Sequence, residues 1–296
     1  MTRPRDSASR DPERPRSRRP SAVRTPARAP GARTLYLASL LPTRVSSTGE
    51  ALVVQVQGGQ LSRIPIARVM RIVCGDAAQW SGAALMLCQQ HGVVISWVDG
   101  AGTATGHLWS TRRRATDLAE ALSAAAGTWH RRDGERASWP ATYGNWLRQR
   151  RLAVLQDWAD ERRQADQPVG RDEWEQARQA WVCRAEVPVR LPALMRGLAA
   201  ARVAAHLSDD GIEPHYWCVA ADAEPGAQDA AVIALAEDLT ELVWARMNLC
   251  AGALAAAVEQ PRDTVTLFEA WSDTCIRTLQ AHLATLRPHL LRELGL

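Results

Sequence analysis

The sequence predicts an α+β fold: a small β-rich, sandwich-like domain followed by a larger all-α domain. Two observations predict it. Short alternating or apolar segments separated by glycine-bearing turns fill residues 34–110, and Ala, Leu and Arg-rich segments with apolar positions three and four apart fill residues 111–296. A third sets the limits, because the first 33 residues are rich in Arg, Pro and Ser and poor in apolar side chains. Such a stretch cannot bury enough surface to fold alone and is expected to be a disordered tail.

In chain order the predicted strands are LYLASL (35–40), ALVVQVQ (51–57), LSRIPI (61–66), RVMRIVC (68–74), VVISWVD (93–99) and TATGHLW (103–109). STGE, GGQ, GDA, HG and DGAG break them, which implies several hairpins. Pro65 removes a ladder donor and predicts a strand end or an edge. WSGAALMLCQQHG (80–92) is the helical interval among them, with Ser81 a candidate N-cap and Gly92 a C-terminal stop. Helices are predicted over 112–129, 145–165, 171–186, 191–211, 229–260 and 267–286, with loops at 133–144 and 165–170. Strands first and helices after fit separate layers better than one parallel sheet.

The chain has 296 residues and a net charge of +4. Residues 1–33 hold ten Arg against Asp6, Asp11 and Glu13, a net of +7, so the rest carries −3. The basic balance therefore belongs to the tail, which is suited to weak, sequence-independent contact with polyanions or else reflects a start placed too far upstream. No apolar run approaches the roughly 18 to 20 residues of a membrane span, and the N-terminus has no apolar leader segment, so a cytoplasmic protein is expected. The six cysteines form no CxxC pair, which argues against structural zinc and a disulfide framework.

One stretch raises a chemical question. ALAEDLTELVW (234–244) places Glu237, Asp238 and Glu241 on neighbouring positions of a helix inside an apolar run. Such a cluster is either a solvated face, where repulsion costs only about 0.2–0.5 kcal/mol per pair, or a site for a hard divalent cation. The middle of the chain also concentrates arginines: Arg112, Arg113, Arg114, Arg131, Arg132, Arg148, Arg150, Arg151, Arg162 and Arg163. They form either a phosphate-binding stripe or helix-solvating partners of Asp117, Glu120, Asp157 and Glu161.

The ordered set Arg63, Pro65, Ile72, Val73, Gly75, Ser81, Ala84, Leu85, Gly92, Val93, Asp99 and Gly102 resembles the β domain of the CRISPR-associated spacer-acquisition integrase and endonuclease family. Gly211, Ile212, Glu213 and Pro214 resemble that family's G-L-D-P turn, and Asp238, Leu239 and Glu241 its D-L-x-E helix. The resemblance implies a metal-dependent DNA endonuclease and integrase that inserts short DNA fragments into a CRISPR array. It further implies Mg2+ or Mn2+ as cofactor, a homodimer formed through the β domains, and a small ferredoxin-like adaptation subunit as partner.

The implied catalytic and metal-binding residues are Glu173, His215, Asp238 and Glu241, with Glu175 as the alternative to Glu173. Glu173 is preferred because Trp181 follows it at i+8, matching the family's glutamate with an aromatic two turns later; a charged helix start gives the same pattern. The family's histidine, about six residues after the proline, is here Ala220, and His215 is the nearby substitute. The implied DNA contacts are Arg112, Arg113, Arg114, Arg148 and Arg151. With the usual histidine displaced, a catalytically inactive DNA-binding or structural homologue of the same fold is the alternative function.

Overall fold

The structure is a computed structural model and describes residues 30–37, 42–109, 116–122, 138–183, 191–212, 219–220, 232–250 and 261–294. The first 29 residues of the predicted tail lie outside these. Two four-stranded sheets come first, then helices, so the α+β architecture expected from the sequence is the observed one.

Strands β1 (Arg33–Leu37), β5 (Val69–Cys74), β7 (Val94–Val98) and β8 (Ala104–Leu108) form the first sheet in that order. Its β1–β5 and β5–β7 pairs are parallel, and β7–β8 is a hairpin. The second sheet runs β4 (Leu61–Pro65), β3 (Ala51–Val56), β2 (Thr43–Thr48), β6 (Ala78–Trp80). Gly49, with φ 58°, supplies the left-handed backbone for the short β2–β3 turn. Pro65 closes β4, an edge strand, as its missing N–H requires. Helix α1 (Gly82–Gln90) is capped by Ser81, whose Oγ accepts from the Ala84 N–H at 3.2 Å.

The first sheet is buried on both faces. Leu37, Ile72, Cys74 and Ile95 pack with Val45, Leu52 and Val54 of the second sheet and with Ala84, Leu87 and Cys88 of α1. Val73 and Val98 belong instead to the helical core. Double burial accounts for the near-continuous apolar runs of β5 and β7.

The helical part comprises α2 (Ser138–Gln164), α3 (Arg171–Trp181), α4 (Ala193–Asp209), α5 (Leu235–Cys250) and α6 (Pro261–Leu294). Helix α5 is apolar on most sides and packs against α2, α4 and α6. Helix α4 meets β7 and β8 through small residues. Gly197 abuts Val98 and the Gly102 carbonyl, and Gly102 abuts Ala193, so closely that a Cβ at either glycine meets neighbouring atoms.

Several expectations are corrected. β2 and β6 were not expected; TRVSST carries a single large apolar residue, yet Thr43 and Val45 alternate inward past exposed Arg44. The loop expected over 133–144 is helical from Ser138 onward, because Pro140 falls within the first turn, where its missing N–H is harmless. The single helix expected over 229–260 yields α5 alone among the described residues, preceded by β10 (Val232–Ile233) paired to β9 (Val219–Ala220). Helix α6 overruns the expected 267–286 at both ends and continues through Pro288. No described cysteine is in a disulfide; Cys74, Cys88 and Cys275 are buried, and burial pushes the Cys74 and Cys88 thiols up to about 12.

Candidate functional site

Helix α5 carries the carboxylates singled out by the sequence. Glu237 and Asp238 lie in its first turn, where the helix dipole favours negative charge. They do not act as one cluster. Asp238 is 8% exposed and turns toward α2, where its Oδ2 accepts from the Tyr143 hydroxyl at 3.0 Å and its Oδ1 lies 3.6 Å from the Arg151 Nη2. Burial, and then the Asp238 carboxylate, push the Tyr143 phenol well above its ordinary value, so it stays a donor. Glu241 turns the other way and pairs with Arg196 of α4.

Between α4, the start of α5 and the β7–β8 hairpin lies an open groove of about 1180 Å3, its mouth included, with Arg196, Glu237, Thr240, Thr103 and His107 on its walls. His107 shares a 2.9 Å hydrogen bond with the Ser96 hydroxyl at Nδ1, and burial lowers its pKa to about 4. The imidazole there is neutral at ordinary pH.

Glu173 stands elsewhere. It lines a separate cavity with Trp158, Gln176, Ala177, Ala180, Trp181, Asn248 and Leu249, and it pairs with Arg162 at 3.1 Å. Asn248 and Leu249 are at the far end of α5, about 15 Å along the axis from Asp238 at the usual rise of about 1.5 Å per residue. Glu175, the alternative, is on the outer surface, where Arg178 and then Gln179 hold its carboxyl down at about 2.

Each described candidate carboxylate thus faces a guanidinium: Glu173 with Arg162, Glu175 with Arg178, Asp238 with Arg151 and Glu241 with Arg196. Among the described residues, no group of three or more His, Cys, Asp or Glu is placed to hold a metal ion. The described part of the expected donor set therefore does not fit Mg2+ or Mn2+, since hard cations need converging oxygens. His215 lies outside the described residues.

Of the expected DNA contacts, Arg112, Arg113 and Arg114 also lie outside the described residues. Arg148 is exposed and donates to Asn145 Oδ1 at 3.3 Å. Arg151 differs from expectation: its side chain is 14% exposed and directed at Asp238, because a buried carboxylate recruits the nearest cation. Asp117 and Glu161 take Arg287 and Arg246 as partners, rather than the neighbouring arginines of the middle segment.

Sequence reasoning missed Tyr143 and Arg196. The chain contains only three tyrosines, and Tyr143 fell in a segment read as loop. No sequence signal distinguished Arg196 from the other helix arginines.

Residues 39–132 match the family described as CRISPR associated protein Cas1, which bears out the resemblance read from the β segments. The fold is that of a Cas1 protein from Thermotoga maritima, at 12% identity, with 89% of this chain and 97% of that one covered and a TM-score of 0.57. A casposase bound to integration product is similar at 13% identity, 88% and 90% coverage and a TM-score of 0.54. No curated protein matches by sequence. No described helix is long and apolar enough to cross a membrane.

Proposed function

We propose that this chain, a divergent relative of Cas1 proteins in sequence over residues 39–132 and in fold over nearly its whole length, is a spacer-acquisition integrase. In this reading it joins short DNA fragments to a CRISPR array, as a homodimer through its β domains and with a small ferredoxin-like subunit. The coincidence of the family match with a fold shared by a Cas1 protein and a casposase supports it. Integration is attack by a DNA 3′ hydroxyl on a phosphodiester, which requires charge stabilisation on the phosphate and an activated nucleophile.

A second reading, that the chain holds DNA without cutting or joining it, is favoured by the guanidinium on each candidate carboxylate and by the separation of Glu173 from Asp238. Dependence on Mg2+ or Mn2+ is where the readings part. The test incubates the purified chain with branched DNA in Mn2+, in Mg2+ and in EDTA, beside Asp238→Asn, Glu241→Gln, Glu173→Gln and His215→Ala. Joined product that vanishes in EDTA and in Asp238→Asn supports the integrase. Retained DNA binding with no product under any condition selects the scaffold, and failure to bind DNA rejects both.

A further inference from the structure

The groove between α4, the start of α5 and the β7–β8 hairpin encloses about 530 Å3, against about 50 Å3 for the cavity beside Glu173. That is within the roughly 300–1,000 Å3 of ligand-sized clefts. Alanines and Gly102 line much of it, and its polar groups are Thr103 of the hairpin, His107 of β8, Arg196 of α4, and Glu237 and Thr240 of α5. Thr240 is already engaged, because its hydroxyl donates to the Ala236 carbonyl at 2.7 Å. Arg196 is the one guanidinium among these groups, and its Nη2 donates to Glu241. The Arg196 and Glu241 side chains are 42% and 25% exposed, whereas those of Arg151 and Asp238 are 14% and 11% exposed. An ion pair open to water contributes little and exchanges partners readily. Glu237 and Glu241 are four residues apart on α5 and so are neighbours on its surface.

We propose that the Arg196–Glu241 pair is a latch on this groove, opened when a backbone phosphate of a DNA strand takes Arg196 from Glu241. A phosphate offers the guanidinium two parallel charge-assisted hydrogen bonds, and the exposed Thr103 of the hairpin wall has a hydroxyl to donate another. Glu237 and Glu241 repel an anion that arrives alone. A strand already held elsewhere on the chain presents its phosphate at high effective concentration, an advantage that free phosphate lacks. The source is therefore a strand, and the latch rests on the DNA reading above. Once the strand is seated, Glu241 stands beside Glu237 without its counter-charge, so strand occupancy sets the partner of an α5 carboxylate. The coupling is reciprocal: the pair has to break for the strand to enter, and it weakens strand binding by the fraction of time that Arg196 is engaged.

The experiment measures binding of a forked DNA to the full chain by fluorescence anisotropy across a salt series. The variants are Arg196→Gln, Arg196→Lys, Glu241→Gln and Glu237→Gln, with each glutamate change also combined with Arg196→Gln, and a denaturation midpoint is taken for each. Arg196→Gln is expected to weaken binding about tenfold at low salt and to reduce the salt slope by about one, while Arg196→Lys, which keeps the charge, restores the slope. Glu241→Gln is expected to tighten binding about two- to fivefold, and only where Arg196 is present. Glu237→Gln removes the same charge from the same groove and is expected to act equally with and without Arg196. Tightening by Glu241→Gln that persists beside Arg196→Gln, or an unchanged slope in Arg196→Gln, overturns the latch while DNA binding stands. Inorganic phosphate that displaces DNA more than chloride of equal ionic strength, and only with Arg196 present, overturns the strand as the source. A chain that binds no DNA overturns the latch together with the DNA reading.

Discussion

At Asp238 one side chain holds together two others. The carboxylate accepts from Tyr143 and faces Arg151 in a setting with little water, so its removal takes an acceptor from a buried hydroxyl and a counter-charge from a mostly buried cation. Asp238→Ala is therefore expected to destabilise the chain by about 3–5 kcal/mol, and Asp238→Asn by less, measured by urea denaturation. Loss of activity in the alanine variant alone would consequently report folding as much as chemistry. Two histidines supply a pH signature. Burial lowers His107 and His282 from the ordinary 6.5 to about 4, with Arg150 adding to the effect at His282. Between these values the unfolded chain binds more protons than the folded one, so stability rises with pH. It is full above about pH 6.5 and falls as the pH drops toward 4. Denaturation midpoints from pH 4 to 8 should show this slope, and His282→Leu should flatten it.

At the scale of elements, α4 and the β7–β8 hairpin meet where both partners lack a Cβ. Gly197→Ala pushes a methyl into Val98 and the Gly102 carbonyl, and overpacking of this kind costs about 1–3 kcal/mol. Gly102→Ala is expected to cost more than spacing alone demands, because Gly102 also has φ 78°. A larger loss in denaturation for Gly102→Ala than for Gly144→Ala, where a Cβ meets nothing within 4 Å, checks the point; parity between them refutes it. Helix α5 shows how neighbours decide what a periodic pattern leaves open. Glu237, Asp238 and Glu241 are adjacent on the helix surface, yet α2 stands on one side of them and α4 on the other. Each helix brings an arginine, and the cluster divides.

At the scale of the molecule, the β domain and the helices are joined by a polar contact beside the apolar one. Arg71 of β5, 3% exposed, reaches Glu269 of α6 at 3.0 Å, and the Tyr36 hydroxyl of β1 donates to the same carboxylate. Burial, and then this carboxylate, push the Tyr36 phenol up, so it remains a donor throughout the ordinary pH range. Glu269→Ala leaves Arg71 buried without its counter-charge, and it is expected to loosen the junction before either half unfolds. A second transition in denaturant, or faster protease cleavage between the halves, would show it; a single unshifted transition would not. The sequence by itself determined the order of strands then helices, the Ser81 cap, the edge strand ending at Pro65 and the family likeness of the β segments. These depend on local periodicity, turn chemistry and proline, which act over a few residues. Only the tertiary structure decided that β2 is a strand, that Arg151 turns inward, and that Glu173 of α3 stands beside the end of α5 opposite to Asp238. Those outcomes follow from which helix packs beside which, and a carboxylate's partner is set by the nearest buried cation in space, whatever its distance along the chain.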